Sequence, residues 1–204
     1  MTGAASRAWQ RMLSGRRLDL IEPSPLDVEI EDIAHGLSRV ARWNGQTRGE
    51  EIFSVAQHSL LVEALFSGTA PAPGAAERLV ALLHDAPEYV VGDMISPFKA
   101  AVGGHYRAVE DRLLATVHLR FALPARVAPA LKKAIKSADR TAAYFEATAL
   151  AGFSAAEARI LFGAPAVAID AVAAYLAPWR PVEAQRRFLR RFQELESERA
   201  VLRL

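Results

Sequence analysis

Helix-period spacing of apolar residues runs through most of this chain and constrains its fold more than any other feature. The segments with that spacing are 26–42, with a short helix around 30–40, then 54–66, 75–86, 104–120, 125–150, 154–160, 166–176 and 181–197. Proline and glycine separate these segments, as in the loop 70–74 and at Pro124, Pro165 and Pro178. No convincing run of alternating strand residues competes with the helical pattern, so the sequence predicts an all-α fold.

The length and composition of the chain favour one domain. With 204 residues, of which 51% are hydrophobic and 24% charged, the chain can bury one sizeable core. We expect a single compact domain over 1–204, with a core at 30–150 and C-terminal helices at 154–197 packed on it. The sequence contains no evident repeat, low-complexity tract or second domain.

The charge balance and the lack of cysteine narrow the function classes. The chain has 25 lysines and arginines and 23 aspartates and glutamates, which give a net charge of +2. This balance does not indicate a basic surface for nucleic acid. A small anionic substrate would need only a local basic pocket. Zero cysteines exclude disulfides and thiolate ligands, which fits a reducing compartment. Residues 1–15 lack a signal-peptide core, and no apolar stretch reaches transmembrane length. We expect a cytoplasmic protein that binds neither nucleic acid nor a membrane.

The basic C-terminal segment allows a different interpretation. Its arginines alternate with apolar residues in a pattern that could bind nucleic acid or a membrane surface; they are Arg186, Arg187, Arg190 and Arg191. Four glutamates dilute this charge, namely Glu183, Glu194, Glu196 and Glu198. Amphipathic helices of this kind usually pack their apolar side on the domain or on a second subunit, so we favour packing.

Four residues form a candidate metal site. The adjacent His84 and Asp85 are a ready pair of ligands, and His58 upstream and Asp139 downstream complete a set in the order H, HD, D. Asp139 lies one helical turn after Ile135 and therefore faces the core of its predicted helix. An ionised carboxylate buried there needs a hydrogen-bonded cation or a metal ion as its partner. Two imidazoles and two carboxylates suit a borderline divalent ion.

The remaining histidines add little to this set. Ser54 followed by Gln57 reads as a capping box, which places His58 in the first turn of a helix. His35 could support the site indirectly, whereas the two other histidines, His105 and His118, resemble ordinary helix residues. Because the chain has only five histidines and no second HD-like pair, we expect one metal ion.

Glu88 is a candidate acid or base. In a continuous helix it would lie one turn beyond His84 and on the same side as Asp85, where proton transfer to a bound water or leaving group is needed. Pro87 removes a backbone donor and disfavours helical geometry at Ala86. We therefore expect the helix to kink or end close to the metal ligands.

The order H, HD, D resembles the signature of the HD-domain metal-dependent phosphohydrolases. The resemblance covers most of the chain and extends to the blocks 32–38, Arg42-Trp43-Asn44-Gly45, 53–59 and 84–93, and to Trp179 with 186–188. These blocks are similar to a bacterial branch related to the 5′-deoxyribonucleotidases, which use a divalent metal to remove phosphate from deoxyribonucleoside monophosphates. The spacing from Arg42 to His58 is slightly longer here than in the monophosphate enzymes.

The resemblance implies a compact helical HD-domain fold and a set of functional residues. It makes His58, His84, Asp85 and Asp139 the ligands of one divalent ion (Co, Mn, Mg, Fe, Ni or Zn), Glu88 and Asp93 catalytic, and Arg42 and Trp43 part of the pocket for a small-molecule nucleotide. A homodimer is an option that the resemblance allows. The alternatives are a deoxynucleoside triphosphate triphosphohydrolase that releases tripolyphosphate and a non-catalytic, metal-dependent nucleotide-binding module.

The chemistry of the pocket residues agrees with these roles. Arg42 can direct two donors onto phosphate oxygens, and Trp43 offers a flat apolar face for a sugar or base. Lys99 is a second candidate phosphate contact.

Overall fold

The computed structural model describes residues 8–95, 98 and 104–201, most of which lie in helices. The α-helices are α1 (Ile30–Leu37), α2 (Val55–Ser67), α3 (Ala75–Leu82), α4 (Glu88–Val91), α5 (Gly104–Arg120), α6 (Pro129–Ala149), α7 (Ala155–Phe162) and α8 (Pro181–Val201). Two short strands, β1 (Trp9–Arg11) and β2 (Arg17–Asp19), pair antiparallel near the N-terminus. The predicted all-α class is confirmed.

Helix α2 lies in the interior of the fold. It packs against α3, α6 and α8, and ten of its thirteen residues are buried. A helix that is apolar on nearly all sides is stable only when other elements surround it. The first turn of α2, which carries His58, is therefore enclosed by protein.

Among the described helices, none combines the length and apolar character needed to cross a bilayer.

Gln57 ties α2 to the segment that precedes α8. Ser54 caps α2 by accepting a hydrogen bond from the Gln57 backbone N–H, as predicted. The Gln57 side chain does not complete the predicted capping box. Its Nε2 donates to the carbonyl oxygens of Tyr175 (2.8 Å) and Ala177 (2.7 Å), and its Oε1 accepts from the Trp179 N–H (2.9 Å). This long-range bridge satisfies more buried backbone groups than a local cap would.

The helix before Pro87 ends close to the predicted metal ligands, as expected from this proline. Helix α3 ends at Leu82, earlier than the predicted end at residue 86, and turn residues 83–87 lead into α4. Pro87 forms the N-cap of α4 and has no N–H with which to continue α3. The break places His84 and Asp85 in an irregular turn, so Glu88 begins a separate helix.

Two elements differ from prediction. The segment 166–176 forms two 3-10 turns, Ile169–Ala171 and Ala173–Tyr175, because Val172 between them has a non-helical φ of −126°. The β1–β2 hairpin was not predicted at all, since three-residue strands are too short to show an alternating pattern.

Helices α1 and α4 approach each other closely at Gly36. A Cβ on this glycine would lie 2.8 Å from Tyr89 Cβ and 2.9 Å from the Tyr89 carbonyl oxygen, closer than packed atoms tolerate. Glycine is therefore required at this position. Because Tyr89 follows Glu88 directly, the same contact fixes the start of α4.

Candidate metal centre

The structure brings together histidine and aspartate side chains from three separate segments. His58 lies in the first turn of α2, His84 and Asp85 in the turn between α3 and α4, and Asp139 in the middle of α6. One ligand atom each from His58, His84 and Asp139 lie within 4.8 Å of one another. This group could therefore hold a metal ion.

Asp85 lies beside this group. Its Oδ2 is 3.1 Å from His84 Nε2 and 3.4 Å from His58 Nε2. Asp139 Oδ1 is 3.3 Å from the same nitrogen of His58. Asp85 contacts both histidines but is not part of the group of three whose ligand atoms lie within 4.8 Å of one another. We refer to the four neighbouring residues as the His/Asp cluster.

Hydrogen bonds direct the Nε2 lone pairs of both histidines into the cluster. His84 Nδ1 lies 2.9 Å from the Ala81 carbonyl oxygen, and His58 Nδ1 lies 2.6 Å from Glu146 Oε1. Both partners are acceptors, so each neutral ring carries its hydrogen on Nδ1. Both Nε2 atoms are buried, and neither makes a hydrogen bond of good geometry with a described residue. A lone pair that faces a carboxylate at this distance is unfavourable, and a bound cation would relieve the repulsion.

The electrostatics of the cluster also favour a positive charge. Burial and a neighbouring arginine oppose protonation of His58, but Glu146, Asp139 and Asp85 outweigh them and raise its pKa well above the usual value, so a proton occupies Nε2 unless a metal ion displaces it. Burial acts to raise the pKa of Asp85, yet His84 and His58 hold it well below its usual range. Although burial opposes it, the adjacent His58, whose Nε2 is 3.3 Å from Asp139 Oδ1, lowers the pKa of Asp139 as well. Both carboxylates therefore stay ionised and attract a cation.

Glu146 contacts the His/Asp cluster and was not predicted from the sequence. It is fully buried in α6, seven residues after Asp139 and therefore on the same helical face. Besides its contact with His58, its Oε2 accepts a hydrogen bond from Trp43 Nε1 at 3.0 Å. Despite burial, the charges of His58 and Arg42 lower the pKa of Glu146, so it is an anion. A carboxylate on the far nitrogen of a ligand histidine orients the ring and increases its basicity.

Arg42 connects Glu146 to Asp93. Its Nη2 lies 3.3 Å from Glu146 Oε2 and its Nη1 lies 3.6 Å from Asp93 Oδ2, and its side chain is 14% exposed. Burial opposes the charge, but the two carboxylates raise the pKa of Arg42 above its usual value. Arg42 and Asp93, both predicted at the site, are thus linked to His58 through Glu146.

Trp43 packs in an aromatic group next to this network. Its ring centroid lies 5.7 Å from that of Phe153 and 5.9 Å from that of Phe162. Trp43 has φ 57° and Asn44 has φ 50°, in the left-handed region that residues other than glycine rarely adopt. The strained turn persists because ring packing and the hydrogen bond to Glu146 hold it.

Glu88 is buried at the first position of α4, three residues after Asp85.

Lys99, the second predicted phosphate contact, lies outside the described residues. His35 is partly buried in α1, where burial and Arg39 lower its pKa. His118 is buried in α5, with Nδ1 3.0 Å from the Pro124 carbonyl oxygen.

A groove with a volume of about 1590 Å³ opens beside the His/Asp cluster. It runs between α5 and the N-terminal half of α6, and the end of α7 closes one side. His84, Asp85 and Asp139 line it, whereas Arg42 and Trp43 are not among its described lining residues. A molecule bound in this groove would therefore meet the cluster directly.

Comparison with known proteins gives one result that bears on the family of this chain. No family model matches it. An uncharacterized protein of Rhodobacter capsulatus is 64% identical to it over 159 residues, an alignment that covers 78% of this chain and 81% of the relative.

Proposed function

The chain belongs to the same family as the Rhodobacter capsulatus protein, and we propose that it is a metal-dependent phosphohydrolase that acts on nucleotides. The observation that carries this proposal is the convergence of two buried Nε2 lone pairs, from His58 and His84, with the carboxylates of Asp85 and Asp139 beside an open groove. Such a donor set suits a divalent ion and leaves coordination positions for a substrate. The resemblance to the HD-domain phosphohydrolases supports the same reaction class.

The residues of the chain have distinct roles in the proposed reaction. A divalent ion, when bound, would polarise a phosphate oxygen and lower the pKa of a water. Glu146 and the Ala81 carbonyl orient His58 and His84, and Asp85 and Asp139 supply negative charge for the ion. We assign proton transfer to Glu88, because it is a buried acid three residues from Asp85. Asp93 would assist by holding Arg42, which lies 3.6 Å away.

Deoxyribonucleoside 5′-monophosphates are the substrates that the resemblance implies. The resemblance also assigns Arg42 and Trp43 to the substrate pocket, and their contacts with Glu146 link them to the cluster. If the Trp43 ring packs against the sugar, a 2′-hydroxyl would be buried without a partner. We therefore expect deoxyribonucleotides to be preferred to ribonucleotides.

Hydrolysis of deoxynucleoside triphosphates, with release of tripolyphosphate, is a second candidate function. The basic lining of the groove beside the cluster favours it, because a triphosphate carries more negative charge than a monophosphate. A non-catalytic nucleotide-binding module is a third candidate. The resemblance argues against it, since it assigns Glu88 and Asp93 to catalysis.

A product assay on metal-loaded protein would separate these three functions. The purified protein is stripped of metal, reloaded with each of Co, Mn, Mg, Fe, Ni and Zn, and incubated with deoxy- and ribonucleoside mono- and triphosphates. Orthophosphate from monophosphates identifies the nucleotidase, and tripolyphosphate identifies the triphosphohydrolase. Nucleotide binding without hydrolysis under every metal would contradict an enzyme.

A pair of histidine variants provides the matched control for this assay. His84→Ala should lose both bound metal and hydrolysis, because it removes a lone pair from the cluster. His35→Ala should retain both, because His35 lies in α1 outside the cluster. If the two variants had equal metal content and equal hydrolysis rates, the cluster would not be needed for the reaction.

A further inference from the structure

His118 in α5 carries a buried ring that the proposed reaction does not use. Its Nδ1 lies 3.0 Å from the Pro124 carbonyl oxygen. A carbonyl oxygen only accepts hydrogen bonds, so Nδ1 carries the hydrogen and Nε2 carries the lone pair of the neutral ring. Burial lowers the pKa of His118 by more than the bond to Pro124 raises it, so the ring is neutral at pH 7. His118 Nε2 is therefore a hydrogen-bond acceptor.

This acceptor has no partner among the residues that the structure describes. His118 is 1% exposed, and its Nε2 makes no hydrogen bond with any of them. Buried polar atoms are nearly always hydrogen-bonded, because leaving one unpaired costs free energy. The buried Nε2 atoms of His58 and His84 are explained by the His/Asp cluster. His118 lies outside that cluster, so its lone pair needs a different partner.

His118 lines the groove beside the cluster, and its surroundings there are largely apolar. Leu114 and Ala115 lie four and three residues before His118, so they share its face of α5 and also line the groove. Val127, in the loop that follows α5, lines it as well, whereas the neighbouring cation Arg126 is exposed to solvent. This end of the groove combines an apolar wall with one unpaired acceptor. Such a lining suits a flat ring that carries an N–H donor.

One face of α6 runs from the cluster towards this end of the groove. Glu146, Asp139, Lys136 and Lys132 are separated by seven, three and four residues, so they lie on one side of the helix. At 1.5 Å per residue, Asp139 lies about 15 Å along the axis from Pro129, the first residue of α6. The loop that holds His118 through Pro124 leads directly into this first turn. A ligand with its phosphate at the cluster therefore has room for a sugar and a base before it reaches His118.

We propose that His118 recognises the base of the nucleotide, with Nε2 accepting a hydrogen bond from an exocyclic amino group. The inference rests on the proposed function, because it places the phosphate at the His/Asp cluster. Adenine and cytosine carry an amino group on the edge that faces away from the sugar, whereas guanine and thymine carry an oxygen there. The lone pairs of that oxygen would face the lone pair of Nε2. The site therefore favours adenine and cytosine nucleotides over guanine and thymine nucleotides.

A second metal ion at His118 is the competing explanation for the free lone pair. A metal site needs several ligand atoms around one point. Among the described residues, His118 belongs to no group of histidines and carboxylates whose ligand atoms are close enough to share an ion. A single neutral nitrogen in an apolar wall is suited instead to accept one hydrogen bond.

Matched ligands test the proposal on the wild-type protein. The three compounds are the 5′-monophosphates of 2′-deoxyadenosine, of 2′-deoxyinosine, which has an oxygen in place of the amino group, and of N6,N6-dimethyl-2′-deoxyadenosine, which has no N–H donor. Dissociation constants are measured by calorimetry on metal-free protein, and kcat/KM on metal-loaded protein. The deoxyadenosine compound should be favoured about tenfold over both others. If neither measurement favours it, the proposal is overturned.

Variants of His118 provide the second measurement. His118→Leu should abolish the preference for the amino compound, and His118→Gln should restore part of it, because glutamine offers an acceptor oxygen. His35→Leu is the control and should keep the full preference, since His35 lies in α1 and does not line the groove. A loss of preference in the control as large as in His118→Leu would contradict the assignment.

A nitrogen resonance gives a readout that does not depend on the folding of a variant. In wild-type protein, the ¹⁵N signal of His118 Nε2 should shift when the deoxyadenosine compound is added. The dimethyl compound should leave the signal unchanged, because it has no amino hydrogen to donate. The same shift with both compounds would show that Nε2 does not accept from the amino group.

The outcomes separate this inference from the proposed function. If amino nucleotides bind in a manner that depends on His118 but no metal supports hydrolysis, base recognition stands and the proposed function fails. If monophosphates are hydrolysed with equal kcat/KM for the amino, oxygen and dimethyl compounds, the proposed function stands and the inference about His118 is wrong.

Discussion

Glu146 Oε1 lies 2.6 Å from His58 Nδ1, and this contact determines which nitrogen of His58 faces the His/Asp cluster. Glu146→Gln keeps the size of the side chain but removes the charge that holds the Nδ1 hydrogen. We expect metal affinity to fall by roughly 10- to 100-fold, as measured by chelator competition. Glu63→Gln is the control, because Glu63 is also buried but pairs with Arg78 and Arg191. An equal loss in the control would indicate general destabilisation.

Asp139 and Glu88 should separate metal binding from turnover. Asp139→Ala should abolish both bound metal and activity, because it removes a carboxylate from the cluster. Glu88→Ala should retain most of the metal and lose turnover, since we assign Glu88 to proton transfer. Metal analysis beside steady-state kinetics decides the point. If Glu88→Ala loses the ion as completely as Asp139→Ala, Glu88 is a ligand.

Arg42 should contribute to stability as well as to function. Arg42→Ala leaves Glu146 and Asp93 without their buried cation, and breaking a buried ion pair costs about 3–5 kcal/mol of unfolding free energy. Arg42→Lys should rescue this only in part, because lysine cannot contact both carboxylates with one planar group. Urea denaturation of metal-free protein measures the effect. Full recovery in the lysine variant would show that charge alone is sufficient.

The contact between Gly36 and Tyr89 predicts a site where a single methyl group is disruptive. Gly36→Ala places a Cβ 2.8 Å from Tyr89 Cβ, so α4 must shift, and we expect a loss of about 1–3 kcal/mol in unfolding free energy. Turnover should fall too, because Glu88 begins the same helix. Gly68→Ala is the control, since its nearest contact would be an ordinary 3.6 Å. Similar stability of the two variants would contradict the close approach.

His118 should make stability depend on pH. Burial lowers its pKa from 6.5 in the folded protein, so the unfolded chain binds more protons as the pH falls through 6.5. The contribution of His118 to unfolding free energy is therefore present above that pH and lost on acidification. Urea denaturation between pH 7.5 and pH 5, with chelator present, should show a smaller loss for His118→Asn than for the wild type. Identical losses would mean that His118 does not titrate as its burial requires.

The sequence predicted the members of the cluster because their chemical type and order are local features. His84 and Asp85 are adjacent, and Asp139 stands out as an acid on an apolar helical face. Glu146 has no such local signal beyond its seven-residue spacing from Asp139. Its role depends on α2 and on the 42–45 turn reaching the same point, which periodicity cannot show.

The limits of the fold prediction have a similar origin. Long periodic segments such as α6 were found because their repeating pattern extends over several turns. The turn at Trp43 could not be found, since a φ of 57° is imposed by packing against Phe153 and Phe162 and by the hydrogen bond to Glu146. The predicted capping box at Gln57 was wrong because its side chain donates hydrogen bonds to the carbonyl oxygens of Tyr175 and Ala177, which lie far away in the sequence.

The arrangement of Lys132, Lys136, Asp139 and Glu146 on one face of α6 makes this helix sensitive to length. One residue inserted between Lys132 and Glu146 would rotate everything beyond it by about 100°. Glu146 would then turn away from His58 although every side chain of the site was still present. Substitutions on the outer face of α6 should be tolerated where insertions and deletions are not, so changes of chain length belong in the loops that flank the helix.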